Sequence, residues 1–313
     1  MKKSKILQEA VLNQIEHCNA LDKGRLIPDN SLDIIICDPP LFKNQNDKVL
    51  NHWSNENSYI EWFRLFVNIV STKMRKTGIF YLIGDMEEIN GLFSIIQEFG
   101  YCLTSIYYFN KCKKNTNKKQ KESIKITKII DVVAVFTKDF QKKVKKLLKL
   151  KQEECNKTSK EINMELSGNG NGGGYWSLYC GDNSKNIIPS EDHWNILKRI
   201  LNINIEYEDI LTQYKPYDGV NFWDDVNMID EKFGCVTNRP VEFYERLIKM
   251  NRKNPMEITV WDPFCGFANS TLACKKLGAN FYANEFDLKT YYKSLINIGH
   301  ILNVNKEYEV KEI

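Results

Sequence analysis

Two apolar runs in this chain each end on an acidic residue followed at once by proline. Residues 32–37 lead into Asp38-Pro39-Pro40-Leu41, and residues 258–261 lead into Asp262-Pro263-Phe264-Cys265-Gly266. A buried strand closed by an acid and tight-turn residues is how doubly wound α/β enzymes present chemistry at the carboxyl edge of the sheet. Two such edges predict one pocket built from two halves.

At 313 residues the chain is long enough for one large α/β domain with an insertion, or for two domains. Its 42% hydrophobic and 27% charged residues belong to a globular protein rather than a disordered one. No apolar run reaches the length of a membrane span, and Met1-Lys2-Lys3-Ser4-Lys5 lacks a signal-peptide core, so a cytoplasmic location is expected. The nine cysteines form no CxxC pair and the four histidines are scattered, so no metal site is expected. Thiols inside apolar segments, such as Cys37, Cys102, Cys265 and Cys274, fit a reducing compartment.

Apolar periodicity predicts strands at 31–37, 79–83, 103–110, 129–137, 258–261, 280–284 and 308–313. Helices are predicted at 58–75, 87–99, 239–251 with Pro240 in its first turn, 270–277 and 288–302. In the first of these, Ile60, Phe63, Phe66, Val67, Val70 and Met74 share one face. Strands alternating with helices call for a parallel sheet with right-handed crossovers. Residues 139–221 break the pattern. They read as a basic helix at 142–154, a short helix capped by Thr158 or Ser159, a glycine-rich linker at 168–174 and a helix at 190–201. The expected organisation is therefore 1–138, an inserted recognition segment with helix-turn-helix character at 139–221, and 222–313.

The net charge of +4 is unevenly placed. Lys113, Lys114, Lys118, Lys119 and Lys121 crowd a polar stretch between two predicted strands, and six more lysines follow in 142–151. Such density suits a phosphate-neutralising surface, and equally a solvated loop and helix face.

Taken together, Asp38-Pro39-Pro40, then Asn238-Arg239-Pro240-Val241-Glu242, then Asp262-Pro263-Phe264-Cys265-Gly266, then Asn284-Glu285-Phe286-Asp287 resemble a known motif set. It is that of the β-class DNA amino-methyltransferases, which methylate adenine N6 or cytosine N4 using S-adenosylmethionine. The resemblance implies a doubly wound, Rossmann-like α/β sheet in permuted order, with motif IV before motif I. It implies catalysis at Asp38, Pro39, Pro40 and Leu41. Cofactor contacts would come from Asp38, Asn238, Arg239, Pro240, Asp262, Phe264, Cys265, Gly266, Ala268, Asn269, Glu285 and Phe286. The lysines at 113–121 would meet double-stranded DNA, and a homodimer or a cognate restriction endonuclease are the protein partners it allows.

The chemistry accounts for these residue types. An exocyclic amine is a poor nucleophile because its lone pair is delocalised into the ring. A carboxylate at Asp38 and the Pro39 carbonyl can accept its N–H groups, and prolines hold that carbonyl in place. Glu285, closing the second strand of the cofactor half, is placed to accept ribose hydroxyls. With an acid at position 38, adenine N6 is expected ahead of cytosine N4. Two departures stand out. Leu41, with Phe42 next, replaces the aromatic residue that stacks on the flipped base, a contact worth roughly 1–3 kcal/mol. Ala268 replaces a glycine, where a positive φ would be strained. They leave a second expectation: a weakened or non-catalytic DNA-binding subunit.

Overall fold

The apolar run before Asp38 forms strand β2 (Leu32–Cys37), which is buried at all positions, as a strand covered on both faces must be. The protein is seen in a computed structural model that describes residues 10–40, 42, 53–110, 130–168, 174–181, 187–217, 220–225 and 239–299. The chain divides into a larger unit, Met1–Thr137 with Gln213–Ile313, and a smaller one, Lys138–Thr212.

The larger unit is built on an eight-stranded sheet. The other strands are β1 (Gln14–His17), β3 (Met74–Gly84), β4 (Tyr101–Asn110), β5 (Ile130–Lys138), β6 (Phe222–Trp223), β7 (Thr259–Asp262) and β8 (Asn280–Glu285). Their spatial order is β1-β8-β7-β2-β3-β5-β4-β6. Strand β2 lies between β7 and β3 and runs parallel to both, and β8 runs parallel to β7 and β1. The sheet is not wholly parallel, as strand–helix alternation had suggested. Strand β5 slots between β3 and β4 and runs antiparallel to β3, with Phe80 opposite Phe136. Mixed sheets of this kind are common where one strand returns without a crossover helix.

Side chains leave a strand alternately to its two faces, and β2 and β3 show this. Ile35, Phe80 and Leu82 pack with Phe63, Phe66 and Val70 of helix α2 (Glu56–Lys73) and with Ile89, Leu92 and Ile96 of α3 (Met86–Glu98). Ile34, Ile36, Ile79, Tyr81 and Ile83 pack with Phe243, Leu247 and Ile248 of α8 (Val241–Lys249) and Ala273 and Cys274 of α9 (Asn269–Leu277). Helices on both faces make the sheet doubly wound. Helix α1 (Ala20–Leu26) follows β1, and α10 (Leu288–Asn297) follows β8. Helix α2 begins two residues before its expected start because Asn55 and Ser58 form a capping box. Helix α8 begins at Val241 with Pro240 as its N-cap rather than inside its first turn.

The smaller unit is helical: α4 (Phe140–Glu154), α5 (Ser159–Ser167), α6 (Tyr175–Cys180) and α7 (Glu191–Ile200). Val144, Leu148, Ile162, Trp176, Trp194 and Leu197 give it a core of its own. Thr158 caps α5 in a box with Glu161, and Gly168 ends that helix at φ 68°. The unit closes at Thr212, earlier than the expected segment end at 221. The intervening residues join the larger unit because their aromatics bury there. The Tyr214 and Tyr107 hydroxyls share a 2.6 Å hydrogen bond, and the Tyr217 N–H donates to the Tyr107 oxygen. The expected strand at 308–313 lies outside the described residues.

Candidate active site at the carboxyl edge of the sheet

Strands β2, β7 and β8 are adjacent and parallel, so Asp38, Asp262 and Glu285 emerge together at their carboxyl ends. A cavity of about 470 Å³ opens there, within the larger unit. Asp38, Pro40, Phe264, Glu285 and Phe286, all singled out by the sequence, line it.

Glu285 is mostly enclosed. Its Oε2 accepts the Gly266 N–H at 3.0 Å and its Oε1 accepts the Asp287 N–H at 2.8 Å. Burial pushes its pKa up, and those backbone donors pull against the shift. Asn19 at the N-cap of α1, Asp22 in its first turn and Arg25 in its last turn line the same cavity. Asn19 caps that helix through the Asp22 N–H at 2.9 Å. Trp53 and Trp62 form an aromatic wall, with ring centroids 4.9 Å apart and Trp62 5.9 Å from Phe264. The cavity lining thus combines oxygen and amide groups with flat aromatic faces.

Asp262 is turned inward and does not line the cavity. Its carboxylate accepts the Phe264 N–H at 3.0 Å and the Ser270 hydroxyl, fastening the turn to the first residues of α9. Burial pushes Asp262 up to about 7, those hydrogen bonds oppose the shift, and the charges of Asp38 and Glu285 add to it. Asn284 fixes the other side of the turn: its Nδ2 donates to the Pro263 carbonyl at 2.8 Å and its Oδ1 accepts from Trp261 Nε1 at 3.0 Å. Gly266 has φ 52°, and a Cβ there would meet nothing within 4 Å. Glycine is needed at that position for its backbone conformation and not for space. Ala268 lies at φ 63°, ψ 33° and is fully buried. The strained conformation expected for an alanine at this position is therefore present.

Arg239 lies behind the cavity, 8% exposed. Its Nη1 donates to Asp38 Oδ2 and its Nη2 to Asp131 Oδ2 at 3.3 Å. Burial works against its charge, but the carboxylates of Asp38 and Asp131 outweigh that and raise its pKa. Asn269 donates to the Arg239 carbonyl at 2.6 Å. Pro39, Pro240, Cys265, Gly266, Ala268 and Asn269 likewise support the site without lining the cavity. Phe42 packs on Tyr59, with ring centroids 6.3 Å apart, and is not on the cavity wall. Leu41, Asn238 and the lysines at 113–121 lie outside the described residues.

The sequence did not single out Asn19, Asp22, Arg25, Trp53 or Trp62, and it carried Asn284 in a motif without giving it a role. For Trp62 a signal existed. It sits on the predicted helix but off the face formed by Phe63, Phe66 and Val70, so it was free to face something other than the core. Among the described residues no group of His, Cys, Asp and Glu is arranged to hold a metal ion, and no helix is long and apolar enough to cross a membrane.

A family profile described as DNA methylase matches residues 32–297. The Type II methyltransferase M.HinfI of Haemophilus influenzae is 25% identical over 114 residues, which are 32% of this chain and 32% of that protein. The chain therefore matches about a third of the length of that curated relative. Among solved structures, the cytosine-N4-specific PvuII DNA methyltransferase superposes with TM-score 0.51 at 14% identity, over 96% of this chain and 90% of that one. The complex of M1.HpyAVI with SAM gives TM-score 0.48 at 14% identity, over 90% and 97% of the two chains.

Proposed function

Because the chain belongs to the N6/N4 DNA methylase family, we propose that it transfers a methyl group from S-adenosylmethionine to the exocyclic amine of a base in double-stranded DNA. The observation that carries this reading is the shared cavity. Asp38, from the first acidic motif, and Phe264 and Glu285, from the second half of the chain, line the same space.

The residues present fit the cofactor. Glu285 offers a carboxylate for two ribose hydroxyls, as acids do at the end of the second strand of such sheets. Asn19 and Asp22 line the same cavity, and Phe286 supplies an apolar face for a planar ring. Trp53, Trp62 and Phe264 provide aromatic faces, which attract a cation. When bound, the cofactor supplies a methyl group already activated on a positively charged sulfur, whose departure leaves a neutral thioether.

The chain's own work is orientation and proton handling. The target base must first leave the helical stack. Asp38 and the Pro39 carbonyl then accept the amine N–H groups and aim the nitrogen at the methyl. Asp38 also takes up the proton that the nitrogen sheds once it carries the methyl. Positioning of this kind supplies much of the acceleration when the leaving group is already activated. The thiols take no part: burial pushes Cys37 and Cys265 up, away from the reactive thiolate. The acid at position 38 favours adenine N6 over cytosine N4. Lys113, Lys114, Lys118, Lys119 and Lys121 are assigned to the DNA backbone, and the smaller helical unit to reading sequence. A cytoplasmic setting is supported by the buried thiols of Cys37, Cys180, Cys265 and Cys274.

The test is transfer of labelled methyl from S-adenosylmethionine to unmethylated genomic DNA, followed by nucleoside analysis, with Asp38→Ala as control. Label in N6-methyladenine that disappears in the variant is the expected result. Label in N4-methylcytosine would reverse the base assignment. Cofactor and DNA binding without label would make the chain a non-catalytic DNA-binding subunit.

A further inference from the structure

We propose that Arg239 is a positioning residue for Asp38: it fixes the orientation of that carboxylate and keeps it charged for the target amine. The inference rests on the methyl-transfer reading above and replaces the sequence-based expectation that Arg239 contacts the cofactor. Arg239 is not among the residues lining the cavity. One guanidinium nitrogen engages Asp38 at the end of β2, and another engages Asp131 at the start of β5. The planar group lies over the rings of Phe109 and Phe243, 5.7 and 5.8 Å from their centroids. Its backbone is tied to α9 through Asn269. The side chain is thus held by two carboxylates and two rings, and of these neighbours Asp38 is the one that lines the cavity.

Arg239 also has a buried donor, Nε, with no partner. Such orphans are uncommon in native interiors. Here the side chain bridges two carboxylates and leaves its third donor position unmatched. A rigid fork can span two carboxylates in this way, and a lysine ammonium cannot reproduce that geometry. A carboxylate has about four lone-pair positions, so an arginine on Oδ2 is compatible with acceptance of an amine N–H. Among the described residues, the titratable groups coupled to Asp38 include Arg239, Asp262 from β7, Cys37 from β2 and Tyr244 from α8. The guanidinium beside Asp38 is positive and so favours its charged, accepting form.

The experiment compares wild type, Arg239→Gln and Arg239→Lys. Methyl-transfer rate on unmethylated genomic DNA is followed across pH, and S-adenosylmethionine affinity is measured by calorimetry. For Arg239→Gln the expected results are a rate loss of about 10²-fold and cofactor affinity within about threefold of wild type. The acid limb of its rate profile should move upward by about one to three pH units. Arg239→Lys should hold the limb near its wild-type position while losing rate, and it carries the test if Arg239→Gln fails to fold. Cofactor affinity that falls in step with the rate, with an unmoved acid limb, would return Arg239 to the cofactor. A wild-type rate in Arg239→Lys would remove the need for the fork. If wild type transfers no methyl at all, the methyl-transfer reading fails separately. The ¹³C carboxyl titration of Asp38 then decides: a higher midpoint in Arg239→Gln supports the assignment, and an unchanged midpoint overturns it.

Discussion

The side-chain amide of Asn269 donates to the carbonyl oxygen of Arg239 at 2.6 Å, tying the first residue of α9 to the residue that holds Asp38. Asn269 is 2% exposed, and its own oxygen accepts from Asn297 Nδ2 at 2.9 Å. Asn269→Ala removes this buried link between the start of α9 and the residue preceding Pro240 and deprives the Arg239 carbonyl of that donor. A loss of about 1–3 kcal/mol is expected, read as a lower urea midpoint with an unchanged slope. A variant as stable as wild type would mean that the link carries no energy.

Ala268 sits in the left-handed region, where an L-residue costs roughly 1–2 kcal/mol. Glycine there would relieve that strain but give up a buried methyl worth about 0.8 kcal/mol and add about 0.4–1 kcal/mol of unfolded-state entropy. These effects nearly cancel, so Ala268→Gly should fall within about 1 kcal/mol of wild type. Ala268→Val has no such compensation. A β-branched side chain at positive φ, in a fully buried position, should cost at least about 2 kcal/mol. Thermal unfolding of the pair checks this, and a Val variant as stable as the Gly variant would contradict it.

Much of the site could be read from the sequence because it depends on local pattern. The runs that became β2, β7 and β8 are largely buried; β7 and β8 end on their acids, and Asp38 directly follows β2 at the sheet edge. Their adjacency follows from the motif order. What could not be read depends on tertiary convergence. The run Val132–Phe136 has the same apolar character whichever way the strand runs, so its antiparallel pairing with β3 was not visible. Asp131 precedes that run as an ordinary acid, and only the fold brings it to Arg239. Asn19 reads as a simple helix cap, and Trp53 as an isolated aromatic, until the cavity gathers them with Glu285 and Asp38 in one lining.

Trp53 and Trp62 make binding observable without catalysis. Both line the cavity, whereas Trp176, Trp194, Trp223 and Trp261 are buried and are not among its lining residues. S-adenosylmethionine should therefore change the intrinsic fluorescence chiefly through these two residues. In a Trp53→Phe/Trp62→Phe double variant the ligand-induced change should drop by more than half, while phenylalanine preserves aromatic faces in the wall. A full-sized change in the double variant would place the ligand elsewhere.

The carboxyl group of Asp262 sets a pH dependence whose sign is opposite to that of a salt-bridged acid. Burial pushes it up to about 7, well above the value of about 3.9 for an unfolded aspartate. The folded state therefore holds its proton more tightly than the unfolded state. The stability this contributes is fully present below about pH 4 and is lost as the pH rises through about 7. Glu285, also raised by burial, acts in the same direction. Above pH 7 the fold carries a buried carboxylate beside the charges of Asp38 and Glu285, a cost on the order of a few kcal/mol. Asn at this position keeps an acceptor for the Phe264 N–H and offers an amide to Ser270, without the charge. Asp262→Asn should thus be more stable than wild type at pH 8, with the advantage shrinking as the pH falls and gone by about pH 4.5. Urea unfolding at the two pH values decides: a variant that is equally displaced at both would mean that Asp262 does not change protonation on folding.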